Sequence, residues 1–351
     1  MSGSAADAPA QRSEGEPMIK STLQALLFLV AALISFDASF PVLAQDFKGE
    51  GGKVRILSFP TGNDYPFRTI TKLGLDKKYG FELENVAVQP GGAAVTALRA
   101  GAAEGGLMNW LEVARVRANG DQITAVLPFI KMPNVWVAPK NSTAKDLPGL
   151  KGLKVGTYNR FTPEWVLYLA VAKSKYGYDP RSESTVQEAG PGLLRGLLDQ
   201  KQLDSAFIFY NLAMPMVATG EYKILFTSRD LLEGLNIPTT IMLTSVAFRE
   251  EYIRTHPKNV RAFVLAYQEA VQYLRKNDEI WTELLAKQSI TDPKVVDLMR
   301  DWSRDVTLEK FSDDPMSETK KLFDTLYAAG GKEATGIDQL PAGIFNTEIS
   351  K

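Results

Sequence analysis

Six short segments hold the residues best suited to engage a small molecule: 59–63, 89–92, 109–110, 157–162, 190–192 and 209–211. They offer three kinds of chemistry. Gly91-Gly92, Gly190-Pro191-Gly192 and Thr162-Pro163-Glu164 stand where helices are expected to begin, so their backbone N–H groups can face an anion. The plainer reading of such glycines is turn punctuation. Arg160, between Asn159 and Phe161, is of the type that grips a carboxylate or sulfonate through two parallel hydrogen bonds. Its plainer reading is a solvated loop side chain, and Arg68 is a weaker candidate of the same kind.

The third chemistry is aromatic. Phe59, Tyr65, Phe67, Trp110, Tyr158, Phe161, Trp165, Phe209 and Tyr210 lie in or beside these segments. Any one alone reads as packing, but together they fit a flat or apolar ligand body. Thr61, Asn63, Asn109, Thr157 and Asn211 are their polar neighbours. The candidate ligand-binding set is therefore Phe59, Thr61, Asn63, Tyr65, Gly91, Gly92, Asn109, Trp110, Thr157, Tyr158, Arg160, Phe161, Phe209, Tyr210 and Asn211.

Catalytic chemistry is thin by comparison. The chain has no cysteine and one histidine, His256, which excludes disulfides, thiolate metal sites and cysteine nucleophiles. His256 sits in Arg254-Thr255-His256-Pro257 before a helix, where a surface or capping role is expected. There is no Gly-x-Ser-x-Gly elbow, phosphate-binding P-loop or histidine-rich metal signature. Asp64, Glu112 and Glu164 lie near the candidate loops but read as scattered, solvated carboxylates. No metal, no cofactor and no catalytic residue is expected. A formal net charge of -1 gives no basic face for nucleic acid and no polybasic membrane anchor.

These loops need a frame. From Lys53 the pattern alternates short strands with helices, which predicts an α/β fold with mostly parallel sheets covered on both faces. Strands are expected at 54–57, 81–88, 106–110, 123–127 and 134–138, with one helix from Phe67 to Tyr79 closed by Gly80. A polar connection, 139–152, reads as a crossing, and a second strand–helix series runs from Leu153 to Phe226. The chain then crosses back and ends in helices, where Phe263, Tyr267, Ala270, Val271 and Leu274 form one buried stripe. With 351 residues, 45% of them hydrophobic, two lobes can each bury a core. Lobe I is expected to take 45–140 and 236–351, and lobe II 141–235. Ligands of open α/β sheets bind outside the carboxyl ends of the strands, which is the rule that selects the six segments.

The N-terminus carries a separate message. Residues 1–17 are small and polar, an expected disordered extension, and Met18 reads as the true start. Met18-Ile19-Lys20, an apolar run from Leu23 to Phe36 and the ending Val42-Leu43-Ala44 form a signal-peptide pattern over 18–44, cleaved after Ala44. The run is shorter than the ~20 residues that span a bilayer. Without a cysteine to lipidate, the expected product is a soluble periplasmic protein.

Several segments resemble a known family. Val54 to Asn63, Gly74-Leu75-Asp76-Lys77-Lys78-Tyr79-Gly80-Phe81, Ala97-Leu98-Arg99-Ala100-Gly101 and the run Asp146 to Gly156 are similar, in order and spacing, to substrate-binding proteins of the nitrate, sulfonate and taurine ABC-transporter group. The likeness runs from about Lys53 to Arg254 and extends to the thiamine-pyrimidine-like superfamily. It implies the two-lobed type II periplasmic-binding fold, two crossings and a ligand cleft between the lobes. It also implies a monomer that closes on a small organic solute, anionic or ring-containing, and delivers it to an ABC permease in the inner membrane. The aromatic loops depart from a site built for nitrate alone. Two alternatives stay open: a receptor presenting a ligand or metal chelate to another partner, and a pyrimidine-synthase-like enzyme. The latter needs a reactive histidine, for which only His256 is available.

Overall fold

The computed structural model describes residues 47–59, 64–88 and 92–351. The expected extension and signal peptide, and the candidates Thr61, Asn63 and Gly91, lie outside the described residues. Among the described residues, ten strands form two five-stranded sheets. The first contains β1 (Lys53–Ser58), β2 (Glu82–Ala87), β3 (Gly105–Asn109), β4 (Ile123–Lys131) and β10 (Met242–Arg249), in the order β2-β1-β3-β10-β4. The second contains β5 (Val135–Pro139), β6 (Lys154–Thr157), β7 (Thr185–Glu188), β8 (Ser205–Ile208) and β9 (Tyr222–Thr227), in the order β7-β6-β8-β5-β9. β1 runs parallel to β2 and β3, and β6 to β7 and β8. The long run in β4, Ile123 to Ile130, is buried throughout, as a strand covered on both faces requires.

Each sheet has one antiparallel strand, in the fourth place. β10 opposes β3 and β4, and β5 opposes β8 and β9. This corrects the placement of 134–138 in lobe I: Val135 pairs with Ile208 and Thr227 of the second sheet. The chain therefore crosses at 132–134, ahead of the expected polar connection, and residues 140–152 lead from β5 to β6 within the second half. The direction follows from the path. A chain leaving β4 at the carboxyl end of the first sheet enters the second from the side its parallel strands point toward, so it must run against them. β10 makes the reciprocal return.

Among the described residues the helices that flank the sheets include α1 (Tyr65–Leu73), α2 (Gly92–Arg99), α3 (Trp110–Ala118), α4 (Pro163–Tyr176), α5 (Pro191–Asp199), α6 (Tyr210–Ala218), α7 (Ser228–Gly234), α8 (Pro257–Lys276), α9 (Pro293–Val306) and α10 (Pro315–Thr335). The helix expected from Phe67 to Tyr79 is broken at Gly74, whose φ of 64° caps α1 in the left-handed region. The α8 stripe is buried as expected. The last helices do not stay with the first sheet: α9 packs on α6 and α10 on α4, both helices of the second half. No helix among the described residues is long and apolar enough to cross a membrane.

The hydrophobic cores follow the sheets. On β5, Trp136 is fully buried and stacks on Phe207 at 4.3 Å and Phe226 at 4.8 Å. In the first half Phe67 lies 5.4 Å from Phe129 and 5.9 Å from Phe263. Both packings hold strand to helix or strand to strand, and so fix where the carboxyl-end loops emerge.

Candidate functional site

The loops at the carboxyl ends of the parallel strands converge on one cavity of about 370 Å³. The first half contributes Phe59 after β1, Gly92 at the start of α2, and Asn109 with Glu112, Arg115 and Val116 from the β3–α3 turn. The second half contributes Tyr158, Asn159, Phe161, Thr162 and Glu164 between β6 and α4, and Phe209 before α6. Pro133 and Asn134 in the first crossing, with Leu243 and Thr244 at the start of β10, form the floor where the halves join. Leu107, Phe129 and Ile130 add apolar surface.

Helix capping sets the loop geometry. The Asn109 side chain accepts from Glu112 N at 2.8 Å, and Thr162 Oγ1 accepts from Trp165 N at 3.2 Å. Asn109 ends β3 and caps α3 at the same residue, whereas Thr162 caps α4 after the loop 158–161 that follows β6. Glu112 and Glu164 thereby fall in the first turns of α3 and α4, beside the cavity.

Glu164 is fully buried. Its carboxylate accepts from Asn134 Nδ2 at 2.8 Å and Ser228 Oγ at 2.7 Å. Burial raises its pKa to about 7, against the hydrogen bonds from Ser228 and Asn134 that lower it. Asn134, committed by its amide N–H to Glu164, has a buried Oδ1 without a partner among the described residues. Glu112 is also raised to about 7, by burial first, with Arg115 opposing. A hydrogen bond from the Asn109 backbone N–H to the Glu112 carboxylate opposes the shift as well.

Arg115 joins three parts of the chain. Its Nε donates to Thr335 O at 2.7 Å, Nη2 to Ala334 O at 3.1 Å and Nη1 to Phe161 O at 3.2 Å. Burial lowers its pKa and Glu112 opposes that shift. Gly336, at φ +76°, makes the approach feasible, because a Cβ there would come within 2.7 Å of Arg115 Nε. Gly336→Ala is expected to cost about 1–3 kcal/mol through left-handed strain and displacement of the guanidinium. Urea unfolding would measure it; an unchanged midpoint would show that neither contact matters.

The aromatic wall is built mostly from the second half. Tyr158 lies 4.1 Å from Phe209 and stacks on Phe207 at 5.0 Å. Phe161 is 56% exposed at the rim.

Of the candidates, Phe59, Gly92, Asn109, Tyr158, Phe161 and Phe209 line the cavity. Others turn away for identifiable reasons. Trp110 and Tyr210 are first residues of helices and point into the cores, Tyr210 stacking on Trp302 at 6.2 Å. Tyr65 packs edge-on to Trp281 at 5.1 Å, and Thr157 and Asn211 are buried. Arg160 does not line the cavity. Its Nη2 donates to Val186 O at 2.7 Å and its Nε faces Glu188 at 3.7 Å, so β7 holds it aside. Arg68 pairs with Asp64 at 2.9 Å.

Sequence reasoning missed Asn134 and Arg115 and discounted Glu112 and Glu164 as solvated. A signal for Asn134 was present: Pro133-Asn134 interrupts two apolar runs, as a crossing must. Arg115 left none, because its partners are carbonyls more than two hundred positions away at Ala334 and Thr335.

A family described as NMT1/THI5 like matches residues 71–279, more than half of the chain. The fold is similar to the periplasmic aliphatic sulphonate binding protein SsuA from Escherichia coli. The identity is 19%, 80% of this chain and 87% of that one are covered, and the TM-score is 0.65. The alkanesulfonate-binding protein SsuA from Xanthomonas axonopodis pv. citri, solved bound to MOPS, matches at 16% identity. It covers 86% of this chain and 98% of that one, with a TM-score of 0.64. The periplasmic nitrate-binding protein NrtA from Synechocystis PCC 6803 matches at 14% identity, covering 87% and 93%, with a TM-score of 0.58. At these identities the likeness establishes the periplasmic-binding fold. A search of curated proteins finds no match.

Proposed function

The chain belongs to the NMT1/THI5-like family, and from that premise we propose that it is a periplasmic solute-binding protein that captures a small ring-bearing organic molecule for an ABC permease. The observation that carries this reading is the cavity itself. It is concave, mostly apolar and lined by aromatic side chains from both halves around a few polar groups, the make-up of a small-molecule site. The SsuA and NrtA proteins of this fold bind sulfonates or nitrate by their descriptions. Here the aromatic wall and the sideways tether of Arg160 favour a ring over a simple inorganic anion.

Export through a signal peptide at 18–44, cleaved after Ala44, belongs to the same proposal, as do lobe motion about the crossings and a monomeric state. A binding role is favoured over an enzymatic one because His256 lies away from this cavity, stacked on Tyr252 at 4.6 Å. A thermal-shift screen of sulfonates, carboxylates, pyrimidines and metal chelates would test the reading, since a ligand that binds only the native state raises Tm with its concentration. Tyr158→Ala and Phe209→Ala are expected to weaken a ring-bearing hit by about tenfold, the worth of one aromatic contact. Unchanged affinity in both variants, or turnover of the hit into a product, would defeat the proposal.

A further inference from the structure

Resting on the reading of the cavity as a ring-binding site, we infer that its solute is uncharged and bears hydrogen-bond acceptors on two sides, and that the side-chain NH2 groups of Asn109 and Asn159, one from each half, select it.

The charged groups on the wall are already engaged within the chain. Arg115 donates to the carbonyls of Thr335, Ala334 and Phe161. Glu164 accepts from Asn134 and Ser228. Glu112 accepts from the Asn109 backbone N–H and lies in the field of Arg115. A charged solute would give up its hydration here and meet only counter-charges that are committed elsewhere. What the wall has left to offer is neutral.

Asn109 and Asn159 both line the cavity and both are half-buried. In each, a backbone bond fixes which way the amide faces. Asn109 Oδ1 accepts from Glu112 N at 2.8 Å, and Asn159 Oδ1 accepts from Phe161 N at 2.7 Å. Only the oxygen of an amide can meet an N–H, so the NH2 must occupy the other side. In neither residue does that NH2 reach an acceptor among the described residues. Both residues are held twice. The Asn109 backbone N–H returns a bond to Glu112, and the Asn159 carbonyl accepts from Thr162 Oγ1 at 3.3 Å. One donor thus stands at the β3–α3 turn of the first half and the other in the β6–α4 loop of the second. On the floor Thr244, 8% exposed, adds a hydroxyl without a partner among the described residues, which can donate or accept.

Fixed donors in an apolar, aromatic cavity discriminate through what happens when they are left unpaired. A ring with acceptors satisfies them. A hydrocarbon ring displaces their water and returns nothing, so the site rejects it although its shape fits. Because each half holds one donor, a solute that meets both also bridges the halves.

Isothermal titration of the full-length chain at pH 7 tests this with three rings of similar size. 4-Acetylpyridine has a ring nitrogen and a carbonyl on opposite sides, acetophenone has the carbonyl alone, and ethylbenzene has neither. Affinity is expected to fall about fivefold at each step, the scale of one neutral hydrogen bond. Isonicotinate and 4-(aminomethyl)pyridine, the anionic and cationic analogues, should bind more weakly than 4-acetylpyridine. Asn109→Ser and Asn159→Ser keep a side-chain oxygen for the backbone N–H and remove the NH2. Each should reduce the preference for 4-acetylpyridine over ethylbenzene from about 25-fold to about fivefold, a ratio that loss of a cap alone would not move. Asn109→Asp and Asn159→Asp, which cap equally well, give the same reading should a serine variant fail to fold. Equal affinity for 4-acetylpyridine and ethylbenzene would overturn the inference and leave the ring-binding reading standing. So would tighter binding of either charged analogue, or an unchanged preference in the asparagine variants. If none of the five binds, the ring-binding reading falls and the inference with it.

Discussion

Glu164→Gln is expected to be more stable than the wild type by about 3 kcal/mol at pH 8 and no more stable at pH 5. In the folded chain burial lifts the Glu164 pKa from 4.5 to about 7. Between those values the native state holds a proton that the unfolded state has released, so stability declines as pH rises through this window and levels off above 7. Glutamine is neutral at every pH and escapes the decline. The replacement is also sterically tolerable: Asn134 can rotate its amide, offering its unpartnered Oδ1 to the new NH2, while Ser228 keeps an oxygen to donate to. Urea midpoints at the two pH values give the answer. Parallel stabilities of variant and wild type would mean that the Asn134 and Ser228 hydrogen bonds fully compensate the buried charge.

Trp136→Ala should cost about 3–5 kcal/mol, the scale of emptying a large aromatic site in a close-packed core. Trp136 is fully buried, and Phe207, Phe226 and Tyr168 lie around it with ring centroids at 4.3, 4.8 and 5.6 Å. Three rings of that size cannot collapse into the space without moving β8, β9 and α4. Trp136→Phe should cost far less, because the indole N–H is buried without a partner and its removal relieves a desolvation penalty. Denaturant unfolding separates the two substitutions. An alanine variant within 1 kcal/mol of the wild type would show that the aromatic stack contributes little to this half.

The alternation of strands and helices was legible because short apolar runs such as 54–57 and 205–208 alternate with helical spacing and with turn residues such as Gly190-Pro191-Gly192. The exchange of β5 and β10 between the sheets was not. Val135-Trp136-Val137 reads identically in either sheet, since a strand buried on both faces has no pattern that names its neighbours. The site divides along the same line. Tyr158, Phe161, Phe209 and Asn109 could be selected because strand ends point at the cleft. Trp110 and Tyr210 lie off the cavity wall because each is the first residue of a helix, whose first turn aims it at the core. Arg160 misled because its partners, the Val186 carbonyl and Glu188, lie on a neighbouring strand that local sequence cannot see. Glu112 and Glu164 look like surface carboxylates in the sequence; only tertiary packing half-buries the first on the cavity wall and fully buries the second.

The packing of α9 on α6 and of α10 on α4 has a mechanical corollary. Two lobes joined by crossings alone could swing widely, but here the last helices bind the far lobe as well, with Arg115 pinning the end of α10 to both the first half and the Phe161 loop. Any motion about the crossings must then carry α9 and α10 with the second half and strain the carbonyl contacts of Arg115.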